Sequence, residues 1–462
     1  MNLKGINEKE RNRIIFEELP VGTALMNMAI PMIISQLILL LYNIADVFFI
    51  GRTNDPCMIA AASLILPVFN VCFVFANIAG TGGGTLIARL LGVGREDEAR
   101  KVSAFSFYFS IVSSFAFAMT TLAVMRPLLK LLGASSDTFE YARQYATCVI
   151  VIGAVPTILS MTLGNLLRNS GYAKVAGFGF SAAGIVNIIL DPLFMFVILP
   201  RGNEMLGAGI ATALSNYLAC AFFLIFITRM KSDIISFSPR LGLPSGESIR
   251  SFFSVGIPAA IGPFLFDVDY ILIDRLMAAY SDTALAAVGI VLKAERFPLN
   301  IGIGLCLGMT PLAAYNYSSG NLGRMRASVR CARRIGIAVG IVSIALYELF
   351  APVIMQFFIN DAATVSLGAD FLRARAPATI FMFLCFIYVH YFQGVGHGGM
   401  SLLLIVLRWV VFNIPMLFLL NSLFGIYGIV WSQFVSDMCV ALISLIIYLR
   451  FSKKLENTAL QP

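Results

Sequence analysis

The stretch NIILDPLF, residues 187–194, lies inside an apolar run from about residue 172 to 199 that is long enough to cross a bilayer. Two features at its centre oppose that placement. An ionised carboxylate in hydrocarbon costs at least roughly 2.5–3.5 kcal/mol on insertion scales. Proline has no N–H to donate and clashes with the carbonyl four residues before it. A span holding Asp191 and Pro192 side by side therefore calls for a protein-lined cavity.

The surrounding composition supports the membrane reading. Of the 462 residues, 59% are hydrophobic and 13% charged, against about 25% charged in soluble domains. The charges cluster between long apolar runs. The expected spans are 23–50, 57–87, 102–125, 140–166, 172–199, 206–228, 251–277, 283–313, 329–354, 370–392, 399–421 and 424–449. The fold expected is thus all-α and integral to the membrane, with twelve helices. The first run is too long for the core of a cleavable signal. Eight scattered cysteines without a C-x-x-C spacing, and only two histidines, argue against a disulfide framework or a metal centre. IAGTGGGTLIAR in span 2 lacks the Gly-Lys-Ser/Thr ending of a phosphate loop, and its glycines suit close helix contact instead. No nucleophile–base pair supports an enzyme, and no cofactor is called for.

Most of the 33 Lys and Arg fall on the side that holds both termini. The positive-inside rule makes that side cytoplasmic, so the net charge of +8 reports topology and not nucleic-acid binding. The longest polar connection, RMKSDIISFSPRLGLPSGESIR, follows span 6. It suggests a cytoplasmic N-terminus over 1–22, a six-helix bundle over 23–228, a linker over 229–250, a second bundle over 251–450 and a cytoplasmic tail over 451–462. The two halves are weakly similar. AIPMIISQ from Ala29 pairs with GIPAAIGP from Gly256, and DVFFIGR from Asp46 with DYILIDR from Asp269. ARLLGVGREDEAR from Ala88 pairs with AAYNYSSGNLGRMRA from Ala313, and LLRNSGYAK from Leu166 with YFQGVGHGG from Tyr391. NIILDPLF pairs with FNIPMLF from Phe412, and GAGIATALS from Gly207 with IYGIVWSQF from Ile426. Halves with an even number of spans share one orientation. They predict a pseudo-two-fold along the membrane normal and a cleft between two bundles.

This ordered set resembles the multidrug and toxic compound extrusion (MATE) family. It is carried by YNIADVFFIGR, LLGVGREDEARK, LRNSGYAK, VNIILDPLF and GAGIATALS in the first half. YNYSSGNLGRMR and FQGVGHGGMSLLLIVLRWVVFNIP carry it in the second. The resemblance covers about residues 20–450 and implies a bacterial, cation-coupled exporter of large, often cationic compounds that works by alternating access. Its expected partners are a small organic cargo and membrane lipid. The expected setting is the plasma membrane, with the chain acting as a monomer. Two other carriers compete: a lipid or lipid-linked sugar flippase of the same superfamily, and a major-facilitator carrier, whose Asp-Arg/Lys-x-Gly-Arg loop is missing here.

The embedded polar residues can now be assigned expectations. Asn187 stands one turn before Asp191 on the same helix face. Pro192 leaves the carbonyl of Ile188 without a donor, so a carboxylate, an amide and a bare carbonyl gather together. Asp46 lies at a similar depth in span 1. The resemblance implies that Asp46, Asn187, Asp191 and Thr212 line one cation site. Two carboxylates in one partly buried site resist both being charged, so H⁺ is the favoured coupling ion and Na⁺ the alternative. In the second half Asp267 and Asp269 of span 7 and Glu295 of span 8 form a second candidate site for coupling or substrate. Lys293 and Arg296 are expected to neutralise the span 7 acids. Arg408 and Asp437, one charge of each sign, are expected to pair.

Overall fold

The computed structural model describes residues 8–459 apart from 231 and 233. Expectations about residues 1–7 and 460–462 fall outside the described residues. The helical elements account for nearly all of the chain, and no strand occurs among the described residues. In hydrocarbon a backbone N–H or C=O finds no water, so only a structure that bonds each group internally can cross. Ten helices are long and apolar enough to do so unbroken. Counting each of two bent helix pairs as one crossing makes twelve.

Span 1 is Val21–Gly51, span 2 Pro56–Gly92 and span 3 Glu96–Ala123. Span 4 joins Ser136–Ile152 to Ala154–Asn169, span 5 is Ala173–Ile198 and span 6 Glu204–Met230. Spans 7, 8 and 9 are Gly246–Ala278, Asp282–Ser318 and Leu322–Phe358. Span 10 joins Ala362–Arg375 to Ala378–Gly394, and spans 11 and 12 are Gly398–Phe424 and Ile426–Asn457. Several helices run beyond the apolar windows expected from sequence. Spans 3 and 9, for instance, begin in charged turns. Those turns stand outside the hydrocarbon and keep their helical bonds.

Start and stop signals follow ordinary local chemistry. Asp55 accepts the amide of Cys57 ahead of Pro56, Ser245 caps span 7, and Asp361 accepts the amide of Thr364. The repeat also shows in the backbone. Gly94 and Gly320 have φ of +73° and +77°, and Gly171 and Gly396 have +86° and +85°. Each pair occupies matching turns in the two halves. The kinks match too: span 4 bends by 46° at Gly153, three residues before Pro156, and span 10 by 48° just before and at Pro377. Proline's missing N–H interrupts the helical ladder near both bends.

Twelve crossings return the chain to the face on which it starts, here called the termini side. The two halves meet closely in the half of the membrane nearest that side. A Cβ added to Gly308 of span 8 would lie 2.5 Å from Ala29 of span 1, and one on Gly82 would lie 2.5 Å from the carbonyl of Phe252 in span 7. The span 2 glycines thus serve close helix contact, as expected from the sequence. The segment before span 1 straps this seam. Arg324 of span 9 donates to the carbonyls of Phe16 (2.6 Å) and Leu19 (2.5 Å), and Asn316 of span 8 to that of Phe16 (3.1 Å). The Phe16 ring stacks on Tyr315 at 4.8 Å. On the other side Arg11 donates to the carbonyl of Ser170 at 3.0 Å and lies over the ring of Tyr172. One short segment therefore holds both halves.

Arg324→Met removes two charge-assisted bonds of the strap, each worth about 1.5–3 kcal/mol. Spin labels at Asp97 and Asn321, on opposite sides of the seam, should then report longer and broader distances than in the unsubstituted strap. An unchanged distance distribution would show that the strap does not hold the seam closed.

Candidate functional site

The embedded polar residues fall into two groups of opposite character. In the first half, Asp191 is fully buried, and Asn187 and Thr212 are each 2% exposed. The Asn187 amide donates to Oδ1 of Asp191 at 3.5 Å and to Oγ1 of Thr212 at 3.4 Å. Spans 5 and 6 thus present an aspartate, an amide and a hydroxyl in one place. Asp46 of span 1 acts electrostatically on Asp191. The Tyr42 and Tyr145 hydroxyls face Thr212 and feel both carboxylates. Three buried oxygens lack a partner: Oδ1 of Asp46, Oδ1 of Asn187 and Oδ2 of Asp191. Neither carboxylate is in an ion pair among the described residues. Such a set of oxygens, with negative charge and no base, suits a proton or a small hard cation.

The second half solves its charge problem differently. Glu295 of span 8 is gripped by Arg375, with Nε–Oε1 at 2.7 Å and Nη2–Oε2 at 3.0 Å. Arg408 of span 11 holds Asp437 of span 12 in the same forked way, at 2.7 and 2.9 Å, and Gln433 adds a bond at 2.9 Å. Asp269 accepts the amide of Asn413 and keeps Oδ2 unpartnered. Glu295, Arg375, Arg408, Gln433 and Asp437 line a cavity with the rings of Phe266, Tyr270 and Trp409. At the seam, Asn70 of span 2 donates to Asp267 at 2.9 Å, joining the halves near mid-depth.

The expected neutralisation of the span 7 acids needs correction. Lys293 is exposed and in no ion pair among the described residues. Only Arg296 acts on Asp267, and it lies over the rings of Phe266 and Tyr270, at 5.5 and 5.2 Å. Glu295 turns instead to Arg375, which sits beside the break of span 10. That break carries the guanidinium inward, where it is 2% exposed. The Arg408–Asp437 pair forms as expected. Sequence reading missed Arg375, Asn413, Asn70 and the two tyrosines. Tyr42 had a signal, since it stands one turn before Asp46 on the same face. Asn413 also had one, since it matches Asn187 in the repeat.

A two-lobed helical bundle with polar residues set deep in each lobe defines a multi-pass membrane transporter. Residues 31–193 and again 258–419 match the family MatE. The multidrug export protein MepA of Staphylococcus aureus is 32% identical over 443 residues, covering 96% of each chain. MepA of Staphylococcus saprophyticus is 32% identical over 442 residues, again 96% of each. Among solved structures, "Crystal structure of MATE in complex with MaL6" superposes with a TM-score of 0.91 at 22% identity, over 97% of this chain and 99% of that one. The outward-facing conformation of a multidrug resistance MATE family transporter gives 0.89 at 22%, over 98% and 99%. The chain belongs to the MATE family of multidrug efflux transporters. It is a transporter and not an enzyme, and the major-facilitator alternative falls away.

The buried pair in the second lobe yields a direct test. Losing one partner leaves an uncompensated charge, at about 3–5 kcal/mol. Arg408→Leu should sharply lower the melting temperature in detergent. Arg408→Leu with Asp437→Leu should recover much of the loss. If the single substitution costs nothing, the pair is not structural.

Proposed function

We propose that this chain is a cation-coupled antiporter, driven by H⁺ and with Na⁺ as the alternative ion, that exports cationic and amphipathic organic compounds. The observation that carries the reading lies in the first lobe: Asp191 is fully buried beside Asn187 and Thr212, Asp46 acts on it electrostatically, and among the described residues neither carboxylate is in an ion pair. A buried negative site of that kind needs a positive occupant. A proton or Na⁺ satisfies it with the oxygens of Asn187 and Thr212, while the Tyr42 and Tyr145 hydroxyls can carry a proton or ligate. In this reading the termini side is cytoplasmic and the strapped seam is the closed inner gate. The two lobes divide within the linker 229–250, and one chain forms the whole pathway.

Coupling requires that cargo and ion favour different states of the protein. Asp267, at the seam and backed by the aromatic rings under Arg296, is the carboxylate placed to meet a cationic cargo. Glu295 borders the second-lobe cavity, where it is already neutralised by Arg375. The second lobe therefore serves cargo more than ion. One charge crossing 100 mV supplies about 2.3 kcal/mol, enough for roughly a fifty-fold gradient of neutral cargo.

Efflux of a cationic dye from proteoliposomes in sodium-free buffer should follow an imposed pH gradient. Asp191→Asn should reduce that efflux to background while the protein remains folded and inserted. Efflux that stays at background until sodium is added, and then tracks the sodium gradient at constant pH, would replace H⁺ by Na⁺. Undiminished transport by correctly inserted Asp191→Asn would overturn the site.

A further inference from the structure

Span 9 opens with a run of arginines, LGRMRASVRCARR, that neither the transport site nor the strap fully uses. Arg324 serves the strap. Arg326 pairs with Glu456 of span 12 and donates to the carbonyl of Ser452 at 3.0 Å, so this face of span 9 looks toward span 12. Arg330 and Arg333 follow at four and seven residues, on the same face. Arg333 reaches the hydroxyl of Tyr388 in span 10 at 3.5 Å, and Tyr388 packs on Tyr448 of span 12 at 5.2 Å. Spans 9 and 12 thus flank a surface backed by span 10, whose Tyr388 is buried beneath it. Lys453 joins it from span 12, one turn before Glu456, the partner of Arg326. Among the described residues Arg330, Arg333 and Lys453 are in no ion pair, and Arg330 and Lys453 are exposed. The nearby Glu456 is already taken.

A row of one face of span 12 runs from Lys453 into the bilayer. Leu449 is 54% exposed, Ile446 51% and Leu442 53%, at three- and four-residue spacing. From Lys453 to Leu442 that row is about 16 Å long, close to half the hydrocarbon thickness. A cluster of cations at the headgroup level thus stands directly over an apolar strip one acyl chain deep.

The internal repeat supplies a control. In the matching turns of span 3 the positions of Arg330, Arg333 and Arg334 hold Ala104, Phe107 and Tyr108. The first turn of span 3 carries Glu96, Asp97 and Glu98, and the basic residues Arg100 and Lys101 lie between that turn and Ala104. The fold therefore does not require cations at this depth, and the two lobes differ here by choice of residue.

We propose that the surface formed by spans 9 and 12 binds an anionic phospholipid, its phosphate held by Arg330, Arg333 and Lys453 and its acyl chain lying along Leu449, Ile446 and Leu442. The proposal rests on the reading that the termini side is the cytoplasmic face, and it gives the membrane-lipid partner a place and a headgroup charge. A zwitterionic lipid offers its phosphate with a compensating amine, so it gains less from a cluster with no carboxylate to spare. Each basic side chain near the surface contributes about 1 kcal/mol toward an anionic lipid.

The test uses the full chain in detergent, with phosphatidylglycerol, phosphatidylcholine or soluble glycerol phosphate added. Bound lipid is read by native mass spectrometry and stability by melting temperature. Phosphatidylglycerol should be retained and should raise the melting temperature, while phosphatidylcholine and glycerol phosphate should not. The triple variant Arg330→Gln/Arg333→Gln/Lys453→Gln should lose retention on the order of a hundred-fold. The control Arg100→Gln/Lys101→Gln in span 3 should keep it. Equal retention by wild type and the triple variant, or equal effects of the two lipids, would overturn the site. An effect of glycerol phosphate matching that of the lipid would make it a soluble-anion site and equally overturn the proposal. Protease access to a terminal tag in oriented vesicles checks the sidedness separately. A tag found outside would overturn the orientation while leaving detergent binding to be judged by itself.

Discussion

The cost of holding charge in hydrocarbon organises this molecule. Each embedded ionised group must find a counter-charge, a cavity or an exchangeable ion. The second lobe meets the requirement with protein: Glu295 takes Arg375, and Arg408 takes Asp437, each by a forked pair of bonds. Forked pairs fix geometry and leave little capacity for a mobile ion. Among the described residues no guanidinium pairs with Asp46 or Asp191, and Asn187 and Thr212 stand beside Asp191 instead. Two lobes built on one repeated pattern thus differ in whether their embedded acids are held in ion pairs.

That division gives the repeat its functional meaning. The turns with left-handed glycines, the bent fourth and tenth spans and the seam glycines are shared, and they are features of architecture. What differs is chemical. Asn187 and Asn413 occupy matching positions, yet the first serves Asp191 on its own helix while the second reaches across to Asp269 of span 7. At the membrane surface the same contrast recurs, with acidic first turns in span 3 and arginines in span 9. Alternating access needs two similar bodies that rock. Coupling needs them to differ in what they bind.

The seam shows how the two lobes are held together. Small residues let the helices of the two lobes approach backbone to backbone, and such contact is specific but weakly adhesive in lipid. Stronger, directional contacts are placed at the edge, where the segment before span 1 meets Arg324, Asn316 and Ser170. Farther along the spans, a part-buried bond from Asn70 to Asp267 also joins the halves.

The one-dimensional sequence determined the membrane class, the crossings and the repeat, and it set Asn187 beside Asp191. These are legible because hydropathy, proline, turn glycine and the one-turn spacing of Asn187 and Asp191 act locally, within a few residues of chain. Partner choice in the second lobe was decided only in three dimensions. Lys293 and Arg296 flank Glu295 in sequence, yet Glu295 bonds to Arg375, 80 residues away. The bend of span 10 turns that guanidinium inward, while the helix carrying Lys293 points its amine out. A helix face is readable from spacing. Which helix it meets, and at what depth, depends on packing and kinks summed over the whole bundle, so the pairing of charges belonged to the tertiary structure.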